Sequence, residues 1–143
     1  MKNQFKGQFA ALSFTALFLT GLATVAHAAT SAATTPPSVV AFNQKIEDGS
    51  VSVEYAYLPE KGYAVIYGAD KDGNPIRESL GQIELTAGDH RSFKIKLDKA
   101  PPAGSKLWVS LYTDKDGKAG FDRKADTAIW QDRLPATNQI VVQ

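Results

Sequence analysis

The chain has 143 residues, of which 16 are Lys or Arg and 15 are Asp or Glu, so its formal net charge at pH 7 is +1. These charges are interspersed along the chain and form no basic face, which excludes nucleic acid as a partner. The sequence contains no Cys, which excludes disulfide bridges, a thiolate metal site and a cysteine nucleophile.

Residues 1–28 have the layout of a cleaved secretory signal peptide. Two lysines precede an apolar run over residues 9–25, and Ala26-His27-Ala28 forms a small-x-small cleavage site. We predict a cut between Ala28 and Ala29, and hence a secreted or periplasmic protein with no membrane span after cleavage. An uncleaved membrane anchor is less favoured, because a spanning helix needs about 20 apolar residues and polar residues interrupt this run.

Residues 29–37 read ATSAATTPP and predict a flexible leader, because small residues, threonines and prolines bury too little apolar surface to order themselves. Residues 38–143 are enough for one domain with one hydrophobic core. Without residues 1–28 the chain keeps 14 Lys or Arg against 15 Asp or Glu. The predicted mature protein is therefore close to neutral.

From Ser38 onward, short alternating segments are separated by turn residues about every ten positions, which is typical of an all-β domain. The predicted strands cover residues 39–42, 50–58, 63–69, 76–85, 92–97, 107–112, 128–131 and 139–142. In the second strand we expect Val51, Val53, Tyr55 and Tyr57 to face the core, since alternate side chains share one face. The third strand is apolar on both faces and is predicted to be central.

Seven to eight short strands without helical periodicity predict an immunoglobulin-like antiparallel β-sandwich. A small antiparallel β-barrel is the alternative. The copper-binding variant of the sandwich is excluded, because its metal centre needs one Cys and two His, whereas His90 is the only His after residue 28 and no Cys is present.

An acidic loop follows the strand 107–112. Its four aspartates are Asp114, Asp116, Asp122 and Asp126. Calcium takes six to eight oxygen ligands from such loops, but the spacing is not that of an EF-hand, since Lys118 occupies the fifth position. Asp-Lys-Asp-Gly is also a good hairpin turn, and it recurs at residues 70–73. Two interpretations stay open: a plain turn, or a weak extracellular Ca²⁺ site formed by the four aspartates.

Three aromatic residues are the candidate ligand contacts. Trp108 and Tyr112 share the face of their strand that lies opposite Leu107, Val109 and Leu111, and Trp130 follows the acidic loop. Exposed apolar patches often mark partner sites, and flat rings can hold sugars. The alternative is that these rings are covered by the C-terminal segment or by the second face of a central strand.

Catalytic residues are not predicted. A Ser-His-Asp triad or a histidine base would have to use His90, which stands at a turn. A zinc site would need three carboxylate ligands, which is uncommon. Paired carboxylates for glycoside chemistry stay open as an alternative, since the chain has 15 acidic residues.

Three segments carry a family resemblance: NQKIEDGSVSVEYAYLPEKGYAVIY, SLGQIELTAGDHRSFKIKLD and LWVSLYTDKDGKAGFD. In their order they are similar to a family of uncharacterised secreted immunoglobulin-like domains of prokaryotic surface proteins, over Val39 to Val142. The family pattern ends in an Asp-Pro-Tyr-like turn, whereas residues 125–131 read ADTAIWQ here. The resemblance implies a sandwich fold and an extracytoplasmic location, and it implies no activity.

The sequence thus predicts a secreted or periplasmic, non-catalytic binding or structural module that is a monomer. Its expected partner is an envelope or extracellular protein or a glycan, contacted through the acidic loop and the neighbouring aromatic residues. A small calcium-binding extracellular domain and an envelope hydrolase with paired carboxylates are the alternatives. Ca²⁺ is the one candidate cofactor.

Overall fold

The computed structural model of the chain describes residues 35–143. The predicted signal peptide, its cleavage site and residues 29–34 of the predicted leader lie outside the described residues. Residues 35–37 precede the first strand without regular structure. In the part of the chain that the structure describes, no helix is long and apolar enough to span a membrane.

Ten strand segments form the described domain. They are β1 (Ser38–Val40), β2 (Ser50–Leu58), β3 (Gly62–Ala69), β4 (Pro75–Leu85), β5 (Gly88–Lys96), β6 (Lys106–Thr113), β7 (Thr127–Ala128), β8 (Trp130–Gln131), β9 (Leu134–Pro135) and β10 (Thr137–Val141). One sheet has the order β1-β2-β5, and a second has the order β10-β6-β3-β4 with β7 paired to the end of β6. The β8–β9 hairpin stands apart.

The two sheets pack face to face around one main core. Val51, Val53 and Ile95 of the first sheet are fully buried, as are Ile66 and Val109 of the second, and all belong to one cluster. None of the sheets in residues 35–143 closes on itself. The predicted all-β sandwich is therefore confirmed, and the barrel alternative is wrong.

The inward face of β2 changes partway along the strand. Val51 and Val53 are buried as expected, but Ala56 and Leu58, not Tyr55 and Tyr57, occupy the following core positions. The alternation fails on β5 as well, where Ser92 adopts a φ of 49° opposite the point of change. The prediction for the two tyrosines is wrong because strict alternation is lost opposite this left-handed residue, although the register of the pairing stays the same.

The central position of β3 is confirmed. It pairs with β4 on one side and β6 on the other, and its residues from Gly62 to Gly68 are buried. Gly62 lies so close to β6 that a Cβ there would stand 1.9 Å from the carbonyl oxygen of Tyr112. Only glycine fits this contact, because the obstructing atom belongs to the backbone.

Gln44 links the two sheets near the C-terminus. Its backbone N–H donates to the carbonyl of Val141 at 3.2 Å, and its carbonyl accepts from Gln143 at 2.9 Å. Its side-chain amide bonds both backbone groups of Ser52 in β2, at 2.7 and 2.8 Å. Gln44 thus bonds the first sheet with its side chain and the second sheet with its backbone.

Candidate functional site

Strand β6 presents two different faces. Leu107, Val109 and Leu111 point into the main core and are almost completely buried. The alternate residues, including Trp108 and Tyr112, lie on the outer face of the second sheet. There they belong to a second, smaller apolar cluster. The division of this strand predicted from its alternation is therefore correct.

The acidic loop brings three of its four aspartates together. Asp114, Asp116 and Asp126 each have a carboxylate oxygen within 4.8 Å of the others. Asp126 is buried, while Asp114 and Asp116 are half-buried. Asp122 does not join this group, so the predicted set of four converges in part.

Hydrogen bonds to the loop's own backbone occupy these carboxylates. Asp126 accepts from the N–H of Lys115 at 3.1 Å and from the N–H of Asp122 at 2.8 Å, which ties the beginning of the loop to its end. The remaining three also accept backbone N–H groups: Asp114 from Gly117 at 2.8 Å, Asp116 from Lys118 at 2.9 Å and Asp122 from Lys124 at 2.8 Å. Each is the side-chain-to-backbone bond by which aspartate stabilises a turn.

Two lysines neutralise part of this acidic group. The Lys61 ammonium lies 3.2 Å from a carboxylate oxygen of Asp114 and 3.3 Å from one of Glu84. These bonds, that to Asp114 first, raise the pKa of Lys61 above its usual value. Lys118 pairs with Asp116 at 3.3 Å, and the backbone N–H of Lys118 is the main cause that lowers the pKa of Asp116.

The folded loop covers aromatic residues on the outer face of the sheet. Phe121 packs against Tyr112 with ring centroids 4.6 Å apart and against Tyr63 at 5.9 Å. The Tyr63 hydroxyl donates to the carbonyl of Lys118 at 3.0 Å. The geometry therefore gives the aspartates a structural use, since they hold the turns that place Phe121 over the cluster.

The three candidate aromatic residues differ in exposure. Tyr112 is buried, with 8% of its surface accessible, and its hydroxyl accepts a bond of 3.1 Å from the Tyr67 hydroxyl. Trp108 is half-buried, and its indole N–H donates to the carbonyl of Gly73 at 2.9 Å. Trp130, on β8, is 57% exposed.

All three residues line one groove of about 300 Å³, the aromatic groove. Its lining includes Trp108 and Tyr112 of β6, Trp130 and Pro135 of the β8–β9 hairpin, and Pro75 at the start of β4. The position of the hairpin is fixed at both ends by Leu111 of β6. Ile129, before the hairpin, donates its backbone N–H to the Leu111 carbonyl, and Ala136, after the hairpin, accepts from the Leu111 N–H. The two prolines were not foreseen, since nothing local in the sequence ties either of them to β6.

Most polar side chains in the groove are already hydrogen-bonded within the protein. Ser110 and Thr137 bond each other at 2.9 Å, and the Thr137 hydroxyl also reaches the carbonyl of Val109. The indole N–H of Trp108 and the hydroxyl oxygen of Tyr112 are paired as described above. Among the described side chains of the lining, the indole N–H of Trp130 and the hydroxyl hydrogen of the buried Tyr112 have no protein acceptor, and of the two residues Trp130 is the exposed one. The groove therefore suits an apolar group that carries one acceptor.

Comparison with known proteins gives one family. A family model described as "Domain of unknown function (DUF7282)" matches residues 37–143. No curated protein matches the chain.

Proposed function

We propose that this chain, which belongs to the DUF7282 family of domains of unknown function, is a secreted or periplasmic module that binds a partner without catalysis. The observation that carries the proposal is the aromatic groove between β6 and the β8–β9 hairpin. Binding sites are typically concave and mostly apolar, with a small number of polar groups that fix orientation. The groove has this character.

The partner best suited to the groove is an extracytoplasmic protein that offers an apolar side chain. A sugar would bring several hydroxyl groups into a lining whose Ser110 and Thr137 hydroxyls already bond within the protein, and unpaired polar groups weaken binding. An apolar side chain followed by a backbone carbonyl would fill the groove and accept from the Trp130 indole. A glycan is the second partner class, and the experiment below separates the two.

The proposed location rests on the pattern of residues 1–28 and on the resemblance of the domain to secreted modules. The immunoglobulin-like assignment is supported by the order β1-β2-β5 opposite β10-β6-β3-β4. In a constant-type domain the fourth strand would join the first sheet, whereas here β4 pairs with β3. Intact-mass measurement of the exported protein tests the location, and we expect its first residue to be Ala29.

Nile red, a neutral apolar dye, is the probe for the groove. We expect its fluorescence to rise and shift to the blue on binding, and Trp130→Ala to lower the binding signal by more than half. Leu134→Ala is the matched control, because Leu134 lies on the same hairpin, is 72% exposed and does not line the groove. An equal loss in both variants, or none in Trp130→Ala, would contradict the proposal.

The glycan class is tested with oligomers of N-acetylglucosamine, followed by tryptophan emission. If the groove binds a protein partner and not a glycan, we expect these oligomers to cause no saturable change in tryptophan emission. A saturable change that disappears in Trp130→Ala would assign the groove to a sugar instead. Acrylamide quenching in the same samples checks that Trp130 is the exposed indole.

A further inference from the structure

A second concavity, lined by different residues from the aromatic groove, lies at the end of the sandwich where β3 ends and β6 begins. Its volume is about 420 Å³, and the β3–β4 turn and the segment before β6 form its walls. Gly68, Gly73 and Gly104 line it, so at these three positions no side chain stands between the cleft and the main chain. A small ligand could therefore approach the main chain closely.

The wall formed by the β3–β4 turn is held in place by the second sheet. The carbonyl oxygen of Gly73 accepts two side-chain donors, Trp108 at 2.9 Å and Gln139 at 3.2 Å. The Gly73 N–H donates to the carbonyl of Asp70 at 3.0 Å. The cleft is thus formed before any ligand arrives, which lowers the entropic cost of binding.

The side chains that line the cleft favour an anion. Lys71, Lys106 and Ser105 contribute donors, and the Lys106 ammonium lies 3.6 Å from the point where a Cβ on Gly73 would stand. Within residues 35–143, neither lysine forms an ion pair. Their charges are therefore available to a ligand.

Asp70 is the one carboxylate in the lining, and the turn uses it. One of its oxygens accepts the N–H groups of Asp72 and Asn74, each at 2.9 Å. The bond from Asn74 is the main cause that lowers the pKa of Asp70. Asp72 belongs to the same turn but does not line the cleft.

We propose that this cleft binds a single anionic group, a phosphate or a carboxylate, between the ammonium groups of Lys71 and Lys106 and the hydroxyl of Ser105. Lysine binds such groups as a point charge with three donors. Both lysines are exposed, so the interaction is weak, on the order of millimolar for a free ion. The site shares no lining residue with the aromatic groove.

The test is an NMR titration of the ¹⁵N-labelled protein at pH 7 with sodium phosphate and, separately, with sodium acetate, at constant ionic strength. We expect saturable shifts at the amides of Gly73, Ser105 and Lys106. The ion that binds more tightly identifies the group, phosphate or carboxylate. Shifts that grow linearly without saturation, or that are spread over all lysines, would overturn the proposal.

Substitutions separate this site from general surface charge. Lys71→Gln and Lys106→Gln should each weaken binding about threefold. Lys94→Gln, at an exposed lysine on β5, should leave it unchanged. Asp72→Asn should tighten binding, because it removes a negative charge from the same turn. Equal effects of Lys94→Gln and Lys106→Gln would overturn the proposal even if every variant folds normally.

Discussion

The indole N–H of Trp108 donates a hydrogen bond of 2.9 Å to the carbonyl oxygen of Gly73. Through this contact the outer face of β6 holds the turn that follows β3, although the two residues are 35 positions apart in the chain. This turn and the start of β4 border two concavities, since Pro75 lines the aromatic groove and Gly73 lines the cleft at the end of β3. One side chain therefore stabilises the walls of both.

Trp108→Phe should remove this bond while keeping an aromatic ring. We expect a loss of about 1 kcal/mol in the free energy of unfolding, because a neutral hydrogen bond of this kind contributes about that much. Faster hydrogen exchange at the amides of Gly73 and Asn74 should accompany it. Trp130→Phe, at the exposed indole on β8, is the control and should change neither quantity.

Asp126→Asn should destabilise the acidic loop. The buried carboxylate accepts two N–H groups, and an amide at this position offers one acceptor oxygen while its NH₂ faces a donor. We expect a cost of about 2 kcal/mol, measured by urea unfolding. Asp132→Asn, at an exposed residue, is the comparison. A loss no larger than that of the comparison would show that the buried carboxylate does not hold the loop.

Calcium should not raise the melting temperature at millimolar concentration. A calcium ion between Asp114, Asp116 and Asp126 would have to displace the Lys61 and Lys118 ammonium groups and compete with the N–H donors already bound. Thermal unfolding with Ca²⁺ and with EDTA measures this. A saturable rise that Asp116→Asn abolishes would instead establish the calcium site, which is one of the two interpretations that the sequence leaves open.

Gly62→Ala should be strongly destabilising, by about 3 kcal/mol or more, because the added methyl would meet the Tyr112 carbonyl at 1.9 Å. Gly68→Ala is a matched control on the same strand, where the methyl would meet a side-chain atom of Ile76 at 3.2 Å. A flexible side chain can move, whereas a paired backbone carbonyl cannot. Chemical unfolding of both variants measures the difference, and similar losses would count against this explanation.

Alkaline pH should destabilise the fold through Tyr67. Burial, and secondarily the bond with Tyr112, raise the pKa of Tyr67 above its ordinary value of 10.0. The unfolded chain therefore loses this proton first, so the stabilising contribution is complete below about pH 10 and declines as pH rises above it. Tyr67→Phe should unfold with a shallower pH dependence above pH 10, followed by circular dichroism. Identical slopes in the two proteins would refute the assignment.

Alternation predicted the strands of this domain well where neighbouring residues alone decide their faces. It placed Leu107 inside and Trp108 outside, while the apolar residues on both faces of β3 identified that strand as central. It failed at Tyr55 because the change of face depends on the left-handed conformation of Ser92 on the partner strand. No glycine marks that conformation in the sequence.

The candidate site was predictable in the same limited way. Trp108 and Tyr112 share a face by spacing alone, but Pro75 and Pro135 reach the groove only through tertiary structure. The aspartates were identified by composition, while the burial of Asp126 depends on how the loop closes. Nothing in the sequence singles out Phe121, although it packs on two tyrosines of the outer face.

The position of Gln44 has a mechanical consequence. The segment through Gln44 runs parallel to the chain at Val142, directly after β10, so the chain enters the domain at Ser38 and leaves it at the opposite end of the sandwich. A pulling force applied between these two ends would act along the strands. The hydrogen bonds that join β1 to β2 and β10 to β6, together with the two from the Gln44 amide, would then bear the load simultaneously, in shear, instead of opening one after another.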